Sequence, residues 1–406
     1  MTTKKKKILF VIPYLANGGA ERALSNIIMH FPEEWEIDIV INSDQRIDYS
    51  YRGNLITLGI DEKPKTSSVF FQAKAFLKRW RKLRMLKKKN HYLVCISFLD
   101  SANVANILSG GNYCKVVVSV RNSLASQSVL PQYKYIVNPL VRLFYNKADK
   151  VVAVSKGSGT ELNEIYHIQR QKIEVIGNGY DVKEIYRDAQ QEIEQEFQEK
   201  MKNKIVFVTF GRLEKVKGHI HLLKAFARVA KQRKDVILLI VGDGSERIRL
   251  QNLVADSEIK NKVIFVGYQR NPYKYVSRAN IFVIPSLYEG FPNALAEAVC
   301  MKIPCIATDF QTGAREIIAP ELLNSKKAIE KMTLAEYGII TPLCSENKCT
   351  DIEETLQKAE QELVKAMILL LDDNDLYEYY KSKMAQRSQE LDIYSVVKRW
   401  INVIEN

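Results

Sequence analysis

The sequence predicts an α/β protein with two similar halves, each built around a parallel sheet. Along the first 180 residues, short apolar runs alternate with amphipathic helical runs, which is typical of successive βαβ units. The same alternation starts again after a charged stretch rich in Glu, Gln and Lys at residues 181–204. A length of 406 residues allows two or three domains, each large enough to bury its own core.

The first half contains predicted strands that are short runs rich in Val, Ile and Leu. They lie at Lys7–Ile12, Trp35–Ile41, Leu55–Leu58, Tyr92–Phe98, Lys115–Val120, Lys150–Val154 and Ile173–Ile176. Helical spacing predicts helices or partial helices at Arg22–His30, Phe70–Lys89, Ser101–Leu108, Tyr133–Asn146 and Lys156–Ile165. The first apolar run is short and contains Pro13, so we expect a strand there and not a signal peptide.

The second half repeats this pattern. Strands are predicted at Ile205–Thr209, Val236–Val241, Val263–Val266, Ile281–Pro285, Ile303–Ala307 and Gly338–Ile340, with helices at Ile220–Lys231 and Ser245–Val254. The composition of residues 181–204 favours a solvated helix over a flexible linker. Residues 326–332 interrupt the alternation of strands and helices and are expected to form a surface loop or a short helix. The run Tyr394–Ile404 has the spacing of a helix with one apolar face.

Composition excludes several classes of protein. No apolar run reaches the length of about 18 residues that a spanning helix needs, so no such helix is expected. The six cysteines show no CxxC pair and no metal-like spacing with the five histidines, so we expect free thiols in a reducing cytoplasm. The acidic run Asp372–Asp375 lies between two helical runs, where a polar turn and helix cap explain it better than a metal site. No metal or cofactor is therefore expected.

The net charge of +13 is concentrated in the first half. Residues 1–190 hold 29 basic and 17 acidic side chains, whereas residues 191–406 hold 31 and 30. The densest positive segment, Lys74–Lys89, has nine basic residues and no acidic one. A polyanionic surface is therefore expected to meet the first half of the chain.

This basic segment also has an apolar stripe, because Phe76, Trp80 and Leu83 follow i, i+4, i+7 spacing. A basic amphipathic helix with aromatic residues on its apolar face suits an anionic membrane surface. The alternative is an ordinary surface helix whose stripe packs on the sheet while its lysines are solvated. Nucleic-acid binding is disfavoured, since no groove-reading motif accompanies the charge. The candidate membrane or acceptor residues are Trp80, Arg81, Lys82, Lys87, Lys88 and Lys89.

The segment Glu289–Glu297 carries the main chemical signal, with two carboxylates seven residues apart across a strand–turn–helix junction. Pro292 suits the first helical position, so the N–H groups of the next three residues, Asn293, Ala294 and Leu295, are expected to hold a phosphate. Both glutamates can face the carboxyl end of the strand, where open α/β sheets bind ligands. Carboxylates beside an anion cradle suit hydroxyls flanking a diphosphate, as in a nucleotide sugar.

Further candidate residues follow other predicted strands. Gly18 and Gly19 precede a helix and allow close approach of a ligand to the backbone, but their spacing is not that of a dinucleotide fingerprint, which disfavours an NAD-dependent enzyme. After Gly211, the guanidinium of Arg212 and the ammonium of Lys217 suit phosphate. The complete candidate donor-binding set is Gly18, Gly19, Gly211, Tyr268, Gly290, Phe291, Pro292, Asn293, Ala294, Leu295 and Glu297.

With these residues in view, the chain resembles the family-four retaining glycosyltransferases. Residues 289–297 are similar to their E-x7-E motif, and Gly211-Arg212-Leu213 with Lys217-Gly218 to their GRL…KG element. Related forms of three further elements occur in order, at residues 18–22, 176–181 and 312–317. Partly through residues 96–100, the chain looks most like bacterial enzymes that extend lipid-linked oligosaccharides or surface polysaccharides such as capsules.

The resemblance implies a GT-B fold, in which two Rossmann-like domains face a cleft and a C-terminal helix crosses back to the first domain. It implies domains at residues 1–185 and 186–387 and a helix at 388–406, with the donor held mostly by the second domain. Glu289 would contact the donor sugar and Glu297 the ribose, while Arg212 and Lys217 would neutralise the diphosphate without a metal. Retention would need no enzyme nucleophile, so the two-carboxylate scheme of glycosidases does not apply.

The chain departs from the family pattern directly after the strand at Lys115–Val120. Many relatives carry a histidine after it, whereas this chain has Arg121. Arg121 is a candidate for binding the sugar or phosphate, but an arginine is a poor general base. The catalytic candidates are Glu289, Arg212, Lys217 and Arg121.

The sequence therefore predicts a cytoplasmic enzyme at the inner face of the cell membrane. It would move a hexosyl or N-acetylhexosaminyl group from a nucleotide sugar, with UDP the expected nucleotide, to a lipid-linked glycan or surface polysaccharide. One alternative is a glycosyltransferase with a soluble or protein acceptor. Another is a non-catalytic basic protein that binds membranes or nucleic acid.

Overall fold

The computed structural model describes residues 6–16, 18–60, 69–128, 130–289, 291–310, 313–323, 325, 327–346 and 351–406. The chain forms two compact units. Unit 1 comprises residues 1–179 together with 393–406, and unit 2 comprises residues 180–392. Each unit is a parallel sheet covered by helices, so the predicted α/β class with two Rossmann-like domains is confirmed.

Unit 1 contains a sheet whose strands, in the described residues, follow the order β3-β2-β1-β4-β5-β6-β7, all parallel. The strands are β1 Lys7–Val11, β2 Glu36–Ile41, β3 Asn54–Thr57, β4 Val94–Phe98, β5 Lys115–Val120, β6 Lys150–Ala153 and β7 Ile173–Val175. The helices are α1 Gly19–Met29, α2 Val69–Asn90, α3 Asp100–Leu108, α4 Leu124–Gln127, α5 Asn138–Phe144 and α6 Lys156–Glu164, with α16 Ile393–Glu405 at the end of the chain. A turn of wider helix, Tyr133–Val137, leads directly into α5.

Unit 2 contains a sheet in the order β10-β9-β8-β11-β12-β14-β13, parallel except for the antiparallel pair β13–β14. Its strands are β8 Ile205–Phe210, β9 Val236–Val241, β10 Val263–Gly267, β11 Ile281–Ile284, β12 Cys305–Thr308, β13 Thr333–Ala335 and β14 Gly338–Thr341. Its helices are α7 Val182–Ala189, α8 Gln195–Met201, α9 His219–Gln232, α10 Arg247–Ala255, α11 Tyr273–Val276, α12 Asn293–Cys300, α13 Ala314–Ile318, α14 Lys358–Asp372 and α15 Asn374–Glu390.

The central strands of both sheets are buried on both faces, which explains why they are continuous apolar runs without alternation. In unit 1, one face of the sheet packs against α1 and α16, where Trp400 is fully buried beside Phe98. The other face packs against α2, α3 and α5 through residues such as Leu83 and Val141. The C-terminal helix therefore completes the core of unit 1, as the predicted fold class requires.

Several boundaries differ from those predicted. The chain passes from one unit to the other after Gly179, whereas the predicted boundary after residue 185 would cut through α7. The charged stretch 181–204 is not one helix but two, α7 and α8. The strand β13 was not predicted, because its three residues carry little periodic signal. Five cysteines (Cys95, Cys114, Cys300, Cys305 and Cys344) are free thiols, and Cys349 lies outside the described residues.

The prediction for α2 is wrong for Lys87. Lys87 is 1% exposed and its ammonium donates to the backbone oxygen of Asn106 at 2.7 Å. The indole N–H of Trp80 donates to Leu108 at 2.9 Å, so this ring packs on α3. Lys87 is therefore not placed to touch a membrane, whereas Trp80 is half-buried and its membrane contact remains a prediction. Arg81, Lys88 and Lys89 are exposed, and Lys82 is half-buried.

Across the parts of the chain that the structure describes, no helix combines the length and the apolar character needed to cross a bilayer.

Candidate active site

An ion pair between Lys217 and Glu289 lies at the centre of the candidate site in unit 2. The Lys217 ammonium is 2.6 Å from Glu289 Oε1, and the side chains are 24% and 10% exposed. The buried hydroxyl of Ser286 donates to the same oxygen at 2.8 Å. Lys217 ends a short turn after β8, and Glu289 lies on the loop after β11, the neighbouring strand. Two residues predicted from separate motifs therefore meet at the carboxyl edge of one sheet.

Gly218 makes this meeting possible. Its φ of +65° is left-handed, and an added Cβ would lie 2.1 Å from the backbone oxygen of Pro285. The backbone of Val216 also accepts a hydrogen bond from Leu287 N–H at 2.8 Å. The turn that carries Lys217 is thus fixed against the loop that carries Glu289, and only glycine fits between them.

We expect Gly218→Ala to destabilise unit 2 by at least about 2 kcal/mol, since it adds a left-handed alanine and a backbone collision. All three tryptophans lie in unit 1, so far-UV circular dichroism during urea unfolding reports the loss while tryptophan fluorescence follows unit 1. Gly111→Ala is the control, because nothing lies within 4 Å of its added Cβ. Equal urea midpoints for wild type and Gly218→Ala would contradict the role assigned to the turn.

The start of α12 lies directly after the Glu289 loop. The helix begins at Asn293 with Pro292 as its N-cap, so the prediction that Pro292 is the first helical residue is off by one position. The Asn293 N–H is not open to a ligand as predicted, because it donates to Phe291 at 3.0 Å. The N–H groups of Ala294 and Leu295 make no backbone hydrogen bond within the described ranges, as expected for the first turn of a helix.

Two further contacts hold this helix start in place. Tyr180 donates its hydroxyl to Asn293 Oδ1 at 2.5 Å. Gly313 packs on Pro292, where an added Cβ would lie 2.2 Å from the ring Cδ. The loop around Gly313 is tied down by Arg315, whose guanidinium binds both oxygens of Asp309 at 2.6 Å. The predicted motif at 312–317 thus has a structural role beside α12. Thr312 and the candidate Gly290 lie outside the described residues.

Glu297 lies on α12 and is 3% exposed, in contrast to the half-exposed loop around Glu289. Its charge contributes to the raised pKa of the Cys300 thiol, although burial is the larger cause. The two glutamates of the motif therefore have different surroundings. Glu289 faces a lysine, whereas Glu297 is enclosed within unit 2.

The ends of β8, β9 and β10 form a compact group of glycine turns. Gly211, Gly242 and Gly267 have φ values of +132°, +141° and +81°, and an added Cβ on Gly242 would lie 1.9 Å from the Gly211 oxygen. Next to these turns Arg212 is exposed, and no ion pair is recorded for it within the described parts of the chain. Tyr268 is 72% exposed at the end of β10. Both predicted side chains are therefore accessible at the edge that carries Lys217.

His219 follows Gly218 and was not among the predicted site residues. It is 5% exposed, and burial, aided by the charge of Lys217, lowers its pKa to about 3. Its ring is therefore neutral above that pH, and Nδ1 has no hydrogen-bond partner in the described residues. The spacing Lys-Gly-His was visible in the sequence, but nothing in it distinguished a buried neutral ring from an exposed one.

In unit 1, Gly18 is the N-cap of α1 and Gly19 is its first residue, and the predicted close approach of a ligand to them remains a prediction. The carboxylate of Glu21 folds back over Gly18, where an added Cβ would lie 1.9 Å from Glu21 Oε2. Burial raises the pKa of Glu21. An acidic group thus covers this helix start, which the sequence interpretation did not consider.

Arg121 follows β5 and is 8% exposed. Its guanidinium donates to Asn178 Oδ1 and lies 5.6 Å from the centre of the Phe98 ring. It also approaches the backbone oxygen of Ile176 at 3.4 Å. These contacts tie the end of β5 to the segment after β7. In this structure Arg121 positions that segment, and its predicted contact with a sugar or phosphate remains a prediction.

A second feature of unit 1 that site prediction missed lies at the end of β4. Leu99 has φ 71° and ψ 149°, a backbone conformation that residues other than glycine rarely adopt. Asp100 follows, accepting from the buried Tyr145 hydroxyl at 3.2 Å. Burial raises the Asp100 pKa to about 6. A strained residue beside a carboxyl group with a raised pKa marks this strand end as a functional candidate.

No group of three or more potential metal ligands occurs within the described ranges. The structure brings together Lys217, Glu289, Ser286 and the start of α12 in unit 2. Gly18, Gly19, Arg121 and Asp100 belong to unit 1 and lie at or beside the ends of its own strands.

Comparison with known proteins agrees with this geometry. The family model "Glycosyltransferase Family 4" matches residues 17–184, and "Glycosyl transferases group 1" matches residues 189–332. An uncharacterized glycosyltransferase of Methanocaldococcus jannaschii is 30% identical over 355 residues, covering 85% of this chain and 86% of the relative.

A second relative comes from Campylobacter jejuni and is named as an N-acetylgalactosamine-N,N'-diacetylbacillosaminyl-diphospho-undecaprenol 4-alpha-N-acetylgalactosaminyltransferase. It is 25% identical over 399 residues, covering 97% of this chain and 98% of the relative. The crystal structure of Anabaena HepE in complex with UDP and glucose superposes with a TM-score of 0.73 at 19% identity, covering 99% of this chain and 100% of HepE. Two parallel-stranded sheets that share the order of their first five strands, a strand-end lysine–glutamate pair and these matches lead to one conclusion: the chain belongs to the group 1 and family 4 glycosyltransferases, whose structures have the GT-B fold.

Proposed function

We propose that this glycosyltransferase transfers a hexosyl or N-acetylhexosaminyl group, with retention, from a UDP-sugar to a lipid-linked glycan or a surface polysaccharide. The observation that carries the proposal is the Lys217–Glu289 pair beside the start of α12. It combines a cation, a carboxylate and helix N–H groups in one place, which suits a diphosphate attached to a hydroxylated sugar. The name of the Campylobacter relative supports a diphospho-undecaprenol acceptor, and HepE supports UDP.

In the proposed reaction, Lys217, Arg212 and the N–H groups of Ala294 and Leu295 neutralise the diphosphate as it leaves. Charge stabilisation of this kind can replace a metal ion, so none is invoked. Glu289 accepts hydrogen bonds from the sugar hydroxyls, and its contact with Lys217 fixes the carboxylate. Glu297 is proposed to bind the ribose, and Tyr268 to lie beside the base.

The reacting bond is that between the anomeric carbon and the donor phosphate oxygen. It breaks as an acceptor hydroxyl attacks from the same face, and the departing phosphate takes the proton of that hydroxyl. No enzyme nucleophile is then required, and the configuration at the anomeric carbon is retained. A product whose new linkage has the opposite configuration, measured by NMR coupling constants, would exclude this course.

The decisive experiment measures nucleoside diphosphate release from a panel of UDP-, GDP- and ADP-sugars with polyprenyl-diphosphate-linked glycans. Release with a UDP-sugar that depends on the lipid-linked acceptor is expected. Release that requires a soluble glycan or a protein instead would identify the alternative acceptor class. No release above background with any donor would refute the proposal.

The proposed location is the cytoplasmic face of the cell membrane, where a polyprenyl-linked acceptor is accessible to a peripheral enzyme. Support comes from the positive charge of the first half of the chain. Nucleic acid is not a proposed partner.

A further inference from the structure

The surface of unit 1 contains an apolar strip that the core does not use. It lies on the continuous helical run Tyr133–Lys147, formed by the wider turn, α5 and a final short turn. Tyr135, Ile136 and Leu143 are 69%, 53% and 62% exposed, and Pro139 between them is also exposed. The opposite side of the run carries Val141 and Tyr145, which are fully buried. The run therefore has apolar residues on its exposed side as well as on its buried side.

Spacing places the exposed residues side by side. Ile136, Pro139 and Leu143 are separated by three and four residues, so they share one helical face, with Tyr135 at its border. Scattered exposed hydrophobic residues need no explanation, but a contiguous strip of this kind marks an interaction surface. We call these four residues and the basic residues at their border the 133–147 surface.

The charged residues at the border of the strip are all basic. Lys134, Arg142 and Lys147 are exposed, and no ion pair is recorded for any of them within the described residues. Between Asp100 and Asp149 the sequence contains no acidic residue at all. A surface with aliphatic residues, an aromatic side chain and exposed cations has the chemistry that binds the headgroup region of an anionic bilayer.

The exposed basic residues of helix α2 add to the positive charge around the 133–147 surface. Helix α3 packs against both α2 and α5, so the three helices form one layer on the sheet. The exposed Arg81 and Lys88 of α2 therefore lie on the layer that carries the 133–147 surface. The basic residues of α2 contribute to the positive field, but Leu83 and Leu86 of its apolar stripe are buried.

We propose that the 133–147 surface is the membrane-docking site of this protein, with an anionic lipid surface as its partner. This rests on the proposed function, because docking would bring the enzyme to a lipid-linked acceptor. Ile136 and Leu143 enter the boundary between headgroups and acyl chains, while Lys134, Arg142 and Lys147 bind phosphate groups. A second copy of the chain fits poorly, since a symmetric contact would bring like charges together.

The test measures co-sedimentation of the full-length protein with vesicles. One set contains phosphatidylglycerol and phosphatidylcholine in equal parts, and the other phosphatidylcholine alone. The double variant Ile136→Glu, Leu143→Glu is expected to bind the anionic vesicles at least about tenfold more weakly, because two apolar side chains are replaced by anions. Replacing Lys134, Arg142 and Lys147 with Gln should remove about a fivefold factor for each basic residue.

Ile248→Glu is the matched control. Ile248 is 72% exposed on α10 of unit 2, outside the 133–147 surface, so its replacement should leave vesicle binding unchanged. Far-UV circular dichroism confirms that each variant is folded. Lys88→Gln with Lys89→Gln tests α2 as the rival surface.

Three results would overturn the proposal. The first is wild-type protein that does not bind anionic vesicles. The second is binding that survives Ile136→Glu, Leu143→Glu but is lost with the α2 variant. The third is a lipid-free dimer, seen by sedimentation velocity, that the double variant dissociates. Nucleoside diphosphate release with a water-soluble, short-chain acceptor analogue should be unchanged in the double variant, so loss of turnover and loss of docking remain distinguishable.

Discussion

Lys217→Ala is expected to lower kcat for nucleoside diphosphate release by about 10²- to 10³-fold, the effect of removing a fixed donor to developing negative charge. The ammonium is held 2.6 Å from Glu289 by the turn that ends at Gly218, so it is positioned before the donor binds. Such a group stabilises the leaving diphosphate more than the bound donor. We therefore expect a smaller change in KM than in kcat.

Lys215→Ala is the matched control. Lys215 lies two residues earlier on the same turn, is 63% exposed and pairs with Glu346 at 3.2 Å. Its loss should leave kcat within about twofold, because an exposed ion pair contributes little. Glu289→Gln combined with Lys217→Ala should cost less than the sum of the two single changes, since both act on one network. Equal activity of Lys217→Ala and wild type would remove Lys217 from the reaction.

Glu360→Ala is expected to lower the free energy of unfolding of unit 2 by about 3–5 kcal/mol, as for breaking a buried ion pair. Its carboxylate is fully buried between α9 and α14, 2.8 Å from His221 Nδ1 and 3.1 Å from the Lys224 ammonium. It also accepts from the Gln357 N–H at 2.7 Å, as part of a capping box at the start of α14. The alanine variant leaves the Lys224 charge buried without its carboxylate.

Urea unfolding followed by circular dichroism measures this loss, and tryptophan fluorescence reports unit 1 separately. Glu378→Ala is the control: its partner Lys381 lies at 3.4 Å and both side chains are about half exposed, so the expected change is within about 0.5 kcal/mol. An unshifted circular dichroism transition in Glu360→Ala would show that α9 and α14 do not depend on this carboxylate.

The Glu360 carboxylate also gives a prediction for how the free energy of unfolding depends on pH. Burial alone would raise the Glu360 pKa, but hydrogen bonds from His221, the Gln357 backbone and Lys224 leave it below its ordinary value of 4.5. A lowered folded-state pKa contributes stability above the unfolded pKa, and this contribution is lost as pH falls through the folded value. The stability difference between wild type and Glu360→Gln should therefore be constant above pH 4.5 and shrink below it.

The strands could be predicted from sequence because buried parallel strands are apolar on both faces, as in Val236–Val241. The meeting of Lys217 and Glu289 could also be predicted, since both follow strands that end at one edge of a sheet. The burial of Lys87 could not be predicted. A lysine in a basic run is normally solvated, and its burial depends on the Asn106 carbonyl of another helix, a tertiary contact with no local signature.

Sequence also could not predict which apolar residues of unit 1 are left exposed for a membrane. Trp80 has the spacing and chemistry of an interfacial residue, but its indole binds Leu108 on α3. Ile136 and Leu143 have ordinary helical spacing and resemble core residues in sequence, yet the sheet is already covered by Val141 and Tyr145 from the same run. Which apolar face is left outside is decided by packing between elements, and no single helix encodes it.

The position of α16 has a consequence for synthesis of the chain. Unit 1 needs Trp400 and Val403 to complete its core, and these residues are made after all of unit 2. A nascent chain therefore presents the strands of unit 1 long before the helix that covers them exists, whereas unit 2 has all of its residues by Asp392. Unit 2 is able to finish folding before unit 1, against the usual N-to-C order of domain folding during translation. A premature stop near residue 393 would leave unit 2 whole and damage the N-terminal unit instead.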